Sequence, residues 1–125
     1  MSYKSKFFKD SEFKCKCCGV AKMDEEVIQM LDLLRQKCGF PIILTSAYRC
    51  PKHNVAVSKT GPTGPHTTGK AVDVACSHEK AYQVVKYAIE LGFTGIGVAQ
   101  KGGSRFIHLD TLEAPHYPRP NVWTY

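Results

Sequence analysis

Long apolar runs are missing from this sequence, which excludes a membrane-spanning helix built from about 20 consecutive apolar residues. The opening MSYKSKFFKDSEFK lacks the apolar segment of a secretory leader. The expectation is therefore synthesis and retention in a cytosol unless something else releases the chain. Internal repeats, linker-like stretches and low-complexity tracts are absent too, which argues against fibrous or disordered classes. Acidic residues are in short supply: 11 Asp and Glu face 17 Lys and Arg, for a formal net charge of +6. Such a surface attracts polyanions, nucleic acid among them. The basic residues are nevertheless scattered, apart from a mild cluster at Lys4, Lys6, Lys9, Lys14 and Lys16. The interleaved aromatic and basic motifs that grip RNA or DNA are missing, so no nucleic-acid partner is expected.

What is present suits one folded domain. The 125 residues, 43% hydrophobic and 22% charged, provide a real core and are too few for two domains. A single domain over 1–125 and a monomer are the expectations. Apolar residues at helical spacing (Val27, Ile28, Leu31, Leu34, Cys38) predict a helix over 24–38, with acidic residues in its first turn and Gly39 as its stop. The stretch 41–45 (PIILT) reads as a short buried strand, and 50–69 as a long irregular loop, a kind usually functional inside a small domain. In AVDVA (71–75), alternation turns Val72 and Val74 one way and Asp73 the other. A second helix is expected over 78–91, capped by Ser77, closed by Gly92, and burying Tyr82, Val85 and Ile89. Strands 94–99 and 105–110 around a Lys-Gly-Gly turn read as a hairpin. The proline-rich tail should wrap the surface with Trp123 as an anchor. The fold class is α+β: a small, mostly antiparallel sheet with two main helices packed against it.

Chemistry concentrates on three residues. Asp73 sits between two valines, so its carboxylate is expected to be at least partly buried, which is costly without a cation or several donors. His66 lies seven residues earlier, with Gly69 and Ala71 small enough to let the chain turn back. A His and an Asp converging on one point suit zinc. In FIHLD, Ile107 and Leu109 face one side while Phe106, His108 and Asp110 face the other, which makes His108 the third candidate ligand. Such a His₂Asp set leaves one coordination position for water. Taken singly, each histidine also fits a surface or hydrogen-bonded structural role, and Asp73 fits a pair with Lys or Arg.

The stretches TSAYRCPKHN and HTTGKAVDVA, followed later by FIHLDT, resemble the zinc D-Ala-D-Ala carboxypeptidase and L-Ala-D-Glu endopeptidase family, whose fold is shared with the zinc domain of hedgehog proteins. The opening FFKDSEFKCKCCG and the ending NVWTY resemble its short bacterial and phage branch. The resemblance implies zinc held by His66, Asp73 and His108, and peptidoglycan peptides as substrate, an anionic wall that suits the basic charge. It places Arg49 near the metal, to grip a substrate carboxylate or polarise the scissile carbonyl, and Ser46 and Tyr48 along the cleft. It also suggests release by phage lysis machinery or carriage on a virion, in the absence of a leader.

One departure stands out. Relatives carry an acidic residue three positions before the last zinc histidine, or a histidine two before; here those positions are Arg105 and Phe106. The general base must come from elsewhere. Asp110 is the first candidate, with support of His108 as its alternative role, and Glu113 is the second. Without a base, the fold becomes a zinc domain that binds wall peptides or a protein without cutting. His53, His78 and His116 are not expected as ligands of this site. Cys15, Cys18, Cys50 and His53 can in addition form a closed structural zinc site, in the manner of a zinc ribbon in a nucleic-acid-binding module. Against it, the two half-sites flank a helix and a strand. Cys38 and Cys76 read as small core residues.

Overall fold

Asp24 opens the first helix of the computed structural model, which describes residues 3–59 and 61–125. Its carboxylate accepts the Glu26 backbone N–H, filling one of the donors that a helix start leaves open. Helix α1 runs Glu25–Cys38 and stops at Gly39, whose left-handed φ of 75° lets its N–H return to the Arg35 carbonyl. Helix α3 covers His78–Leu91 and closes the same way at Gly92; Ser77 is its N-cap position but makes no side-chain cap bond.

The buried stripe of α3 is not the expected one. Ala81, Val84 and Ala88 face inward, while Tyr82 is 73% and Ile89 60% exposed and Val85 is half-buried. Both stripes have helical spacing, so periodicity alone does not choose between them. The one bearing two alanines presents the smaller side chains to the core. The segment 50–69 is also more regular than expected. Pro51 sits at the first helical position with Cys50 as N-cap, and together they start a short helix, α2, over Pro51–Val57. Two 3₁₀ turns follow, at Gly61–Thr63 and Pro65–Thr68; residue 60 of that predicted loop lies outside the described residues.

Five strands form one sheet: β1 (Ile43–Ser46), β2 (Ala71–Ala75), β3 (Gly95–Ala99), β4 (Phe106–Asp110) and β5 (Asn121–Thr124), in the order β1-β2-β4-β3-β5. Pairing is antiparallel except between β3 and β5. The predicted hairpin is β3–β4. Two expectations fail at the edges. β1 is an edge strand with Ile43 exposed rather than a buried one. The tail does not merely wrap the surface, because Asn121–Thr124 adds a parallel edge strand to the sheet.

Strand alternation divides the sheet into two faces. Val72, Val74, Ile96, Ile107 and Leu109 join Val27, Leu31, Leu34, Val84 and Ala88 in the apolar core under α1 and α3. The opposite face carries Asp73, His108 and Asp110. The register sets Asp73 (β2), His108 (β4), Gly97 (β3) and Trp123 (β5) in one row across it.

Candidate metal centre

The cross-strand pair Asp73–His108 is the foundation of the site, since directly opposed residues have Cβ atoms about 5 Å apart. His66 reaches the same point from the 3₁₀ turn Pro65–Thr68, which Gly69 ends with a φ of 77°. A Cβ at Gly69 would run into the Lys22 carbonyl, so the turn that aims His66 needs glycine for both conformation and space. Asp73 Oδ1 then lies 3.2 Å from both His66 Nε2 and His108 Nδ1, and all three side chains are buried.

The outer nitrogens fix the tautomers. His66 Nδ1 lies 2.8 Å from the Ala47 carbonyl, which can only accept, so Nδ1 donates and Nε2 presents a lone pair. His108 Nε2 lies 2.7 Å from Asp110 Oδ2 and donates to that carboxylate, leaving Nδ1 to face Asp73. In these neutral tautomers two imidazole lone pairs and a carboxylate converge on one point. That donor set fits a divalent cation, and its borderline nitrogens with one hard oxygen suit zinc. Protons on the inner nitrogens are the alternative to a cation there, and they too bond to Asp73. Burial alone would raise the Asp73 carboxyl, but hydrogen bonds to His108 and His66 hold it well below the usual range. Burial would lower His108, yet bonds to Asp110 and Asp73 push it up.

Asp110, the first candidate for the base, is bonded on both oxygens. Its side chain is fully buried, Oδ1 accepts from the Leu112 N–H (3.2 Å) and Arg119 Nε (2.9 Å), and Oδ2 accepts from Arg119 Nη2 (2.8 Å) as well as His108. Burial opposes ionisation, but the bonds to His108 and Arg119 bring the carboxyl down to about 2. Oδ2 thereby orients His108 from behind. A Cβ at Gly95, the neighbour of Asp110 on β3, would collide with this carboxylate, so the glycine makes the room it occupies.

A cavity of about 730 Å³ opens over the cluster, walled by Val57, Pro65, Phe106 and Trp123, with Arg49, Lys59 and Tyr125 at its polar margin. Arg49 is held by Nε to Ser46 (3.0 Å) and Nη1 to Asn54 (3.0 Å), and its Nη2 lies 3.5 Å from Asp73 Oδ2. Arg49 thus borders both the cavity and Asp73. Ser46 and Tyr48 do not line this cavity; they border a smaller one of about 140 Å³ with Arg49 and His53, and Ser46 serves to orient the guanidinium. Glu113 is exposed and lies outside the cavity wall. Arg105 turns its guanidinium to the Gly102 carbonyl and His78, away from the cluster. Asp73 is the one carboxylate in the wall among the described residues.

Sequence reasoning missed Arg119, Asn54 and the cavity-facing Tyr125. Arg119 had a signal: a buried Asp110 requires a cation, and the tail supplies one arginine. Asn54 had none, because its buried amide acts through the Arg49 side chain and the Gly61 carbonyl. A helix and a strand separate the cysteine half-sites in sequence, which argued against a shared site, yet Cys15, Cys18 and Cys50 bring their sulfurs within 4.8 Å of one another. His53 is not in that group among the described residues. Compared with known families, residues 6–110 match the model of peptidase M15. No curated protein matches the chain.

Proposed function

Since the chain belongs to the peptidase M15 family, a family of zinc peptidases, we propose that it hydrolyses amide bonds in the stem or cross-link peptides of bacterial peptidoglycan, with His66, Asp73 and His108 as the zinc ligands. One observation carries the reading: two imidazole lone pairs and a carboxylate point at a common centre, each imidazole being locked from behind by an acceptor. Zinc bound there supplies Lewis acidity toward the scissile carbonyl and a water acidified toward a pKa of ~7.

The chain's own residues do the remainder. Ala47 and Asp110 hold the imidazoles in their ligating tautomers. Arg49 sits against Asp73 at the cavity margin, where its guanidinium binds the substrate's carboxylate or the oxyanion that develops on its carbonyl. The Tyr125 phenol, protonated at neutral pH, adds a second donor to the same wall. Val57, Phe106 and Trp123 exclude water from around the peptide and strengthen these polar contacts. The net charge of +6 favours approach to an anionic wall.

A second reading keeps the metal and removes the chemistry. With no carboxylate but Asp73 in the cavity wall among the described residues, the domain binds wall peptides without cutting them. Release of soluble fragments from purified peptidoglycan separates the two. Zinc-loaded wild type should release them, and His66→Ala or a chelator should stop it. If wild type releases no more than His66→Ala on several wall chemotypes, the peptidase reading fails and the binding reading takes its place.

A further inference from the structure

The second cluster of metal-ligating groups lies where the N-terminal segment meets the start of α2. The sulfurs of Cys15, Cys18 and Cys50 are mutually within 4.8 Å. Tetrahedral zinc with Zn–S bonds of about 2.3 Å sets its sulfurs roughly 3.8 Å apart, so the three need little movement to share an ion.

A second observation concerns what surrounds them. Residues 15–20 form a tight turn, closed by Gly19 N–H to the Cys15 carbonyl (2.8 Å) and Cys15 N–H to the Val20 carbonyl (2.8 Å), with Gly19 at a φ of 73°. That turn brings Cys15 Sγ and Cys18 Sγ within 4.8 Å of each other. Cys15 Sγ also accepts the Cys50 N–H at 3.3 Å, and Cys50 Sγ accepts the His53 N–H at 3.4 Å from the first turn of α2. A neutral thiol is a weak acceptor, whereas a thiolate rewards several such donors. Three thiolates this close repel unless a cation joins them. Cys17 lies outside this group of three, but it is exposed on the same turn, next to Cys18, and close enough along the chain to supply a fourth ligand.

We propose that Cys15, Cys17, Cys18 and Cys50 bind a structural zinc ion, separate from the histidine–aspartate centre. With four protein ligands the site is closed and has no position for substrate. It staples the turn at residues 15–20 to the start of α2, the segment that follows Arg49 and Tyr48. The Arg49 N–H in turn bonds to the His66 carbonyl at 3.0 Å, so the staple steadies the approach to the first cluster. The proposal does not depend on the peptidase reading.

Cobalt(II) titration of the reduced full chain tests it, because thiolate ligands give a near-ultraviolet charge-transfer band that histidine and carboxylate ligands do not. The test uses His66→Ala, in which the first centre is disabled. That variant should bind one cobalt with the band, Cys50→Ser should lose the band and at least tenfold in affinity, and His53→Ala should retain both. Because Cys50→Ser risks local unfolding, exposed Cys17→Ser provides a milder variant, expected to keep its fold with a weaker band. Cobalt bound by His66→Ala without the band, or a disulfide among these cysteines in the purified chain, would overturn the site. So would full band intensity in Cys17→Ser together with loss in His53→Ala. Absence of peptidoglycan cleavage would leave these readings untouched.

Discussion

The histidine–aspartate cluster stands on paired strands, whereas the cysteine cluster stands on a turn and a helix start. Strand register delivers Asp73 and His108 as opposed neighbours over a packed core, and the groups behind the ligands are the Ala47 carbonyl and the Asp110–Arg119 pair. The cysteines have no core beneath the whole of their site; their supporting donors are backbone N–H groups of the segments they join. The difference predicts that a metal at the first cluster can be removed without loss of the scaffold. The second is part of what holds its scaffold in shape.

The sharpest way to break that contrast is His66→Ala. It should remove several kcal/mol of transition-state stabilisation, which at 1.36 kcal/mol per tenfold is roughly a thousandfold in peptide hydrolysis. Circular dichroism should show the sheet unchanged; collapse of the fold would erase the distinction between the clusters. Next is Asp110→Asn, expected to weaken metal binding at the first centre by about 10- to 100-fold in competition with a chelator. Gly95→Ala should act in the same direction, since the added methyl meets the Asp110 carboxylate. An unchanged affinity in both would show that His108 needs no support from behind.

Metal removal sharpens the contrast from the other side. In a His66→Ala background, stripping the remaining metal should lower the thermal midpoint by about 5 °C or more, as for a loss of 1–2 kcal/mol in a small domain. No shift would place both clusters in the same structural class. The smallest effect is on pH. Asp32 ties the N-terminal segment to α1 through Tyr3 Oη (2.6 Å), Ser5 Oγ (2.7 Å) and the N–H groups of Lys6 and Phe7. Burial would raise its carboxyl, but these bonds outweigh burial and lower it. A depressed folded value means the stabilisation is complete above the unfolded pKa of ~3.9 and is lost as pH falls through the lower folded value. Amide exchange at Lys6 and Phe7 should therefore accelerate in acid, and Asp32→Asn should flatten that dependence.

Local chemistry made much of the fold legible. The Gly39 stop of α1, the alternation in AVDVA and FIHLD and the turn between β3 and β4 are readable because each depends on neighbours a few residues away. The candidate ligands were readable for the same reason: Asp73 and His108 each occupy the polar phase of an apolar strand. Helix α2 was not, because Pro51 and the Gly- and Pro-rich chain that follows resemble a loop until Cys50 and Pro51 are seen as cap and first position. The rotation of α3 was not either, since two stripes satisfied the same period.

By itself, then, the sequence determined which residue types stand on which face of which strand, and that two histidines and an aspartate were available to a metal. Tertiary structure alone decided that Asp73 and His108 are opposed, that Arg119 returns from the tail to take up Asp110, and that three cysteines meet across 35 residues of chain. The physical reason is range. Side-chain alternation and capping are fixed within one turn or one pleat, while register between distant strands is set by whichever pairing buries the whole apolar face at once.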